Sequence, residues 1–296
     1  MLTDIEVRWA YSEILGRQPE DENVVSQWLA RCGSLKELVS GFLRSDEFRI
    51  RTGQTRGKDV LYHATRHGFM FPVRMSDLDY YRCYVACDYE AEESDVLVAL
   101  IRAGDTVVDL GARHGWFTML MARAVGVDGS VVAFEPSTGE SVSIAQGLAV
   151  NGYRNVTIVN KAVGDQVRTV RYSEDRGQIV EVGLVNRDVE MITLDGFFAN
   201  WPTRVTTLKM DIDGAETLAL RGGLDFLRKH RPSIVMEVND AQQREVSGVS
   251  GYTPIEIASS IGYRVYSLSG DEMTQEAAVA NFSIGRIFSV VLRMES

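Results

Sequence analysis

A chain of 296 residues, 45% hydrophobic and 24% charged, has the composition of a soluble globular protein with room for one large α/β domain and a small appendage. Its net charge of −10 disfavours binding to nucleic acid, whose phosphates demand a basic face, and favours a neutral partner over a polyanionic one. No apolar run approaches the roughly 18–20 residues of a membrane span, and Met1–Glu6 lacks the basic start and apolar core of a signal peptide, so a cytoplasmic setting is expected.

Residues 1–52 read as a helical module. Thr3 with Glu6, and Ser34 with Glu37, are S/T-x-x-E capping boxes, in which hydroxyl and carboxylate satisfy the free N–H groups of a helix start. The first helix carries Ile5, Val7, Tyr11, Ile14 and Leu15, with Gly16 as its stop. Pro19 can open the second, which carries Val24, Val25, Trp28 and Leu29. The third presents Leu35, Leu38, Val39, Phe42 and Leu43. Three such short helices are marginal alone, so the module is expected to pack on something.

Residues 53–88 are expected to be a linker and a β-hairpin. Thr52–Lys58 is polar and glycine-containing, and apolar residues alternate at Phe69, Phe71 and Val73, then at Tyr81, Cys83 and Val85. Three cysteines (Cys32, Cys83, Cys87) without CxxC spacing read as reduced thiols rather than half a metal site.

From 89 to 296, strand and helix signals alternate, which implies an α/β domain with a mostly parallel sheet and helices on both faces. Strands are expected at Thr106–Leu110, Ser130–Phe134, Val156–Val159, Thr206–Met210, Ser233–Glu237, Tyr263–Ser267 and Phe288–Leu292, with an irregular β-containing stretch over 166–193. Helices are expected at 116–125, 138–150, 215–229 and 254–261. The last two strands, joined by a polar segment, suit an antiparallel edge.

The loop from Asp109 to Gly115 follows the first strand and precedes a helix, where glycines let the backbone approach a ligand and N–H groups face it. Its spacing is G-x-x-x-G, with Arg113 where the dinucleotide fingerprint requires the glycine that admits a pyrophosphate. Glu135 ends the next strand and could accept both ribose hydroxyls of an adenosine ligand. A nucleoside bearing an amino-acid tail suits this pattern better than NAD does, which disfavours an NAD-dependent oxidoreductase. The bland alternative is a tight turn with Glu135 capping the following helix.

Several segments in order then resemble the FkbM-like family of class I S-adenosylmethionine-dependent methyltransferases, over roughly residues 89–240. They are Tyr89 and Glu90, Gly104 and Asp105, Asp109–Ala112 with Gly115, Ala133–Ser137, Asn151 with Asn155 and Val156, Ala162–Gly164, Thr193–Asp195, Leu208–Glu216, and Arg231–Glu237. The resemblance implies a seven-stranded class I (Rossmann-like) sheet. It also implies S-adenosyl-L-methionine as cofactor, held by Glu90, Asp109, Gly111, Ala112, Gly115, Glu135, Pro136 and Ala162. Trp116 and Phe117 either line that pocket or pack the helix under the loop. The chain departs from the family where Arg113 replaces the usual Asn, Phe117 a common Tyr, and Asp213 a usual Glu. A cation at 113 would repel a sulfonium unless it turns away or pairs with a carboxylate, which leaves open a non-catalytic binding or scaffold protein that keeps the fold. In the first module, Leu15–Pro19, Trp28 and Phe42–Phe48 resemble a small helical module found beside glycan-modifying enzymes, which tilts the acceptor toward a saccharide or glycan.

Methyl transfer to a hydroxyl requires alignment of the reacting atoms and a base for the proton. Asp211, near the carboxyl end of its strand, is the expected base or acceptor-orienting group, with Lys209 tuning it or holding the substrate. Strand alternation puts Lys209, Asp211 and Asp213 on one side. Asp211, Glu237 and Asn239 could together hold Mg²⁺ at an oxygen-rich site; the alternative is that Glu237 and Asn239 bond local backbone. His63 and His67 lie four apart, as on one helix face, but lack an acidic third ligand, and His114 sits in the cofactor loop. A homo-oligomer is compatible with all of this.

Overall fold

An apolar run such as Thr106–Leu110, without polar alternation, must be covered on both faces, which makes it a central strand of a parallel sheet. The computed structural model describes residues 2–15, 17–43, 45, 60–74, 89–173, 176–180, 186–274, 277 and 287–294. In chain order the elements are α1 (Asp4–Leu15), α2 (Glu22–Arg31), α3 (Leu35–Leu43), β1 (Val60–Ala64), β2 (Met70–Arg74), α4 (Ala91–Leu100), β3 (Thr106–Leu110), α5 (Trp116–Val125), β4 (Ser130–Phe134), α6 (Thr138–Asn151), β5 (Val156–Val159), β6 (Ala162–Val163), β7 (Arg168–Ser173), β8 (Gln178–Ile179) and β9 (Asn186–Ile192). There follow α7 (Leu194–Phe198), β10 (Val205–Met210), α8 (Glu216–Arg221), α9 (Leu224–His230), β11 (Ser233–Val238), α10 (Asp240–Val246), α11 (Thr253–Ser260), β12 (Tyr263–Tyr266) and β13 (Phe288–Met294). The chain divides into two compact units, Met1–His63 with Pro72–Ala86, and Ala64–Phe71 with Cys87–Ser296.

In the first unit, helices α1 to α3 share an apolar side. The ring of Phe42 packs 4.7 Å from Tyr11 and 4.6 Å from Trp28, and the Trp28 indole donates to the Tyr11 hydroxyl at 3.2 Å. The first capping box closes in both directions: Thr3 N–H donates to Glu6 Oε2 at 2.9 Å, and Glu6 N–H to Thr3 Oγ1 at 3.4 Å. In the second, Glu37 N–H reaches Ser34 Oγ, but the Glu37 carboxylate takes the N–H of Gly33. Helix α2 opens after Pro19, at Glu22, because the Asp21 side chain accepts from Val24 N–H and so caps it.

Strands β1 and β2 pair as a two-stranded sheet. The strand expected around Phe71 is present, and its partner is the upstream Val60–Ala64. His63 therefore sits in a strand and His67 in the turn after it, so the pair shares no helix face. The polar stretch 52–58, Tyr81, Cys83, Val85 and Cys87 lie outside the described residues.

The second unit is built on a seven-stranded sheet of order β12-β13-β11-β10-β3-β4-β5. Every neighbouring pair from β11 to β5 is parallel, and β13 alone runs opposite to both of its neighbours. This is the mostly parallel class I sheet with an antiparallel strand near one edge. One core cluster joins the sheet to its helices through Val108, Phe134, Leu208, Met236, Phe198, Leu220, Leu227 and Ile255. A second, smaller sheet, β6-β9-β7-β8, occupies the stretch expected to be irregular and has its own cluster of Ala162, Val170, Tyr172, Val189 and Met191.

The helix expected over 215–229 is two, α8 and α9, broken at Gly222 and Gly223. A Cβ on Gly222 would stand 2.0 Å from the carbonyl oxygen of Gly164, so the helix breaks where another segment presses against its backbone. Helices α7 and α10 are short, start on the side-chain caps of Thr193 and Asn239, and were not expected.

Candidate active site

Parallel register brings the site together. Leu110, Phe134, Met210 and Met236 lie abreast on four adjacent strands, so the residues that follow them, Gly111, Glu135, Asp211 and Glu237, form a row along the carboxyl edge of the sheet. Ligand crevices of open α/β sheets lie at that edge.

The loop after β3 is shaped by the protein's own backbone. Gly111 has φ +83°, and a Cβ there would lie 1.8 Å from the carbonyl oxygen of Asp211. Gly115, at φ +88°, would bring a Cβ to 3.0 Å from Ile144 of α6. The N–H groups of Gly111 and Ala112 both donate to the carbonyl of Phe134, at 3.1 and 3.0 Å. Arg113 is left-handed at φ +46°, a conformation that Asn tolerates better than Arg does.

Glu135 is 2% exposed and ties the loop down. Its Oε2 accepts the N–H of Arg113 and its Oε1 that of Ser137, each at 2.7 Å. Burial pushes its carboxyl up to about 7, against the pull of these two bonds. Glu135 thus holds the N–H of the cap residue, while Ser137 itself caps α6 by accepting Glu140 N–H at 3.2 Å; of the about four lone-pair sites of a carboxylate, these two bonds use two. The charge of Arg113 acts on both Glu135 and Asp213 and favours their ionised forms, so this cation works against carboxylates.

Beneath the loop, Asp109 is fully buried. Its Oδ2 accepts from the Thr118 hydroxyl at 2.6 Å, while its Oδ1 has no hydrogen-bond partner among the described residues. Burial raises its carboxyl, and Lys209 opposes that rise. Lys209, opposite Asp109 in the β3–β10 register, donates to Asp211 Oδ2 at 2.8 Å and lies 4.3 Å from the centre of the Phe117 ring. Burial of its ammonium is outweighed by Asp211, Glu90 and Asp109, so Lys209 stays protonated. Glu90, left-handed at φ +44° at the start of α4, lies close enough that Lys209 and Asp211 both act on its carboxyl, which burial raises.

The remaining expected residues divide. Ala162 is buried in β6 opposite Met191, and Pro136 offers its carbonyl to Arg187. Trp116 packs among Phe69, Phe71 and Tyr89 and donates to Ser94 Oγ at 3.0 Å. His114 is buried against Glu140, with Nδ1 2.5 Å from Oε2. Asp213 does not continue the strand: it is left-handed at φ +52°, takes Gln242 Nε2 on its Oδ1 at 2.7 Å, and is pushed up to about 6 by burial and by Asp211.

The Mg²⁺ set is not assembled as expected. Asn239 Oδ1 accepts Gln242 N–H as the cap of α10, and Asp211 Oδ2 is taken by Lys209. Among the described residues no group of three His, Cys, Asp or Glu side chains could hold a metal ion. Glu237 instead joins a crowd of carboxylates: burial first, then Asp211, pushes its carboxyl well above the usual carboxylate range.

Four residues of the site had no assigned role. Glu216, buried, accepts the N–H groups of Ile212 and Gly214 and so fixes the turn after Asp211. Asn160 donates to the Glu135 carbonyl at 3.1 Å, Tyr172 OH lies 3.5 Å from Glu135 Oε1, and Arg187 bonds the turn that follows. Only Glu216 carried a signal, as the end of the Leu208–Glu216 segment.

No helix among the described residues is long and apolar enough to cross a membrane. A search of curated protein sequences found no match. Among solved structures, the chain is similar to a methyltransferase FkbM from Methylobacillus flagellatus KT, with 14% identity over 73% of this chain and 54% of that one and a TM-score of 0.42. It is also similar to a SAM-dependent methyltransferase from Aquifex aeolicus (14% identity, 69% and 89% covered, TM-score 0.40) and an rRNA methylase from Streptococcus thermophilus (11%, 69% and 94%, 0.39). The family model described as the methyltransferase FkbM domain matches residues 109–268, more than half of the chain. The chain belongs to the FkbM methyltransferase domain family.

Proposed function

We propose that this methyltransferase uses S-adenosyl-L-methionine to methylate a hydroxyl group, on a saccharide or a related small natural product. The observation that carries the reading is the Lys209–Asp211 pair beside Glu135 and Gly111 on one sheet edge. The residues fit such a cofactor: the buried Oδ1 of Asp109, without a hydrogen-bond partner among the described residues, lies under the loop, and Glu135 has lone pairs for a ribose diol. When bound, the cofactor supplies an electrophilic methyl group on a sulfonium.

The chain's own residues do the rest. Lys209 holds Asp211 by one oxygen, and Oδ1 of Asp211 has no hydrogen bond among the described residues, so it is the atom suited to take the acceptor's proton. Glu237, whose carboxyl is raised by burial and by Asp211, is suited to donate to a second hydroxyl. The net charge of −10 supports a neutral acceptor over a phosphorylated one or a nucleic acid.

The test is a labelled-methyl assay over neutral oligosaccharides, uronic-acid polymers and ribosomal RNA. Wild type should label a neutral saccharide, and Asp211→Asn should lower kcat by about 100-fold or more, the scale of a lost general base. Labelling of RNA alone, or undiminished transfer by the variant, would contradict the reading.

A further inference from the structure

We propose that Arg187 and Tyr172, on the small second sheet, are positioning residues that hold Glu135 for the ribose of the cofactor; this rests on the cofactor reading above. In the antiparallel β7–β9 pair, Tyr172 stands directly opposite Arg187, so both side chains leave the ribbon on one face. That face meets the turn after β4. Arg187 donates through Nη2 to the Pro136 carbonyl at 2.7 Å and through Nη1 to Thr138 Oγ1 at 2.8 Å, spanning the junction between Glu135 and the start of α6. Tyr172 is buried, with its hydroxyl 3.5 Å from Glu135 Oε1.

The ribbon's apolar cluster is separate from the main core, so closing the seven-stranded sheet does not itself require this contact. What the contact does is fix the main chain on the far side of Glu135. The near side is already fixed by Arg113 N–H on Oε2, and Asn160 holds the Glu135 carbonyl. A planar guanidinium with two bonds in fixed geometry sets the direction of that turn, and with it the direction in which the carboxylate's remaining lone pairs point. The far end of the ribbon reaches the other side of the crevice: Arg176 pairs with Glu245 of α10 at 2.8 Å, and a Cβ on Gly177 would lie 3.5 Å from Asp213 Oδ2.

The experiment is calorimetric titration of the full chain with S-adenosylhomocysteine and with its 2′,3′-dideoxy analogue. Arg187→Gln should weaken S-adenosylhomocysteine about tenfold, and Tyr172→Phe about two- to threefold, while neither changes affinity for the dideoxy ligand. Arg187→Lys, which keeps a single donor within reach of the Pro136 carbonyl, should recover part of the loss. Equal weakening of both ligands, or unchanged binding of S-adenosylhomocysteine by both variants, would overturn the proposal. Tyr172→Phe keeps the buried ring, so it tests the point even if Arg187→Gln fails to fold. Absence of binding by wild type would remove the cofactor reading itself, a result distinct from failure of the two variants.

Discussion

Gly111→Ala separates the two meanings a loop glycine can have. If the glycine served only a ligand's close approach, alanine would cost affinity and leave the fold alone. The structure implies the opposite order of effects. The new Cβ would sit 1.8 Å from the Asp211 carbonyl oxygen, and a backbone atom cannot swing away as a side chain tip does. Relief requires the ends of β3 and β10 to part by more than an ångström, at the cost of the Asp211 N–H bond to the Leu110 carbonyl. Left-handed backbone for alanine costs about 1–2 kcal/mol, overpacking about 1–3 and a lost backbone hydrogen bond about 1. The total is roughly 3–6 kcal/mol, a large part of the 5–15 kcal/mol that holds a typical domain together. In a unit of this size that lowers Tm by about 6–24 °C. Gly115→Ala should cost less, because its Cβ meets the side chains of Ile144 and Met119, which can shift. Thermal unfolding followed by circular dichroism, without ligand, decides the matter. A Gly111→Ala protein that melts within about 2 °C of wild type would refute the reasoning.

Arg113→Asn should raise stability by about 0.5–1 kcal/mol, since Asn tolerates φ +46° better; denaturant unfolding would show it, and a lowered midpoint would mean that the guanidinium's hold on Asp213 and Glu135 outweighs the strain. Stability should also fall as pH rises. Asp213 (about 6), Glu135 and Glu216 (about 7) and Glu237 (about 9) all lie above their ordinary values, so the folded chain binds more protons than the unfolded one. Their contribution is present at acid pH and is lost as pH passes through those values. His230, lowered by burial and by Lys229 and Arg204, opposes this on the acid side, where charging it costs stability. A Tm that drops from pH 6 toward pH 9 is expected, and Glu237→Gln should flatten the drop; a Tm rising from pH 6 to 9 would contradict the buried carboxylates.

The parts of the fold legible in the sequence were those decided locally by burial. Thr106–Leu110 and Ser130–Phe134 stand where the apolar runs put them, because a strand covered on both faces needs no partner-specific pattern. The break at Gly222 was hidden because its cause is the carbonyl of Gly164, far away in the chain. Helix α10 was hidden because its residues are polar and only the Asn239 cap marks it. In the site, Glu135 and Asp211 follow from strand ends, whereas Arg187 and Tyr172 reach it through the register of a second sheet. The glycines were legible as necessary, and the structure adds the neighbouring protein that they admit, Asp211 in one case and Ile144 in the other.

The central claim, an S-adenosylmethionine site built on Gly111, Glu135 and Asp211, is tested most directly by calorimetric titration of wild type and Glu135→Ala with S-adenosylhomocysteine, with NADH as the competing ligand. The account predicts one S-adenosylhomocysteine bound per chain, weakened at least about tenfold in the variant, and no heat from NADH. Binding of NADH with none of S-adenosylhomocysteine would contradict it.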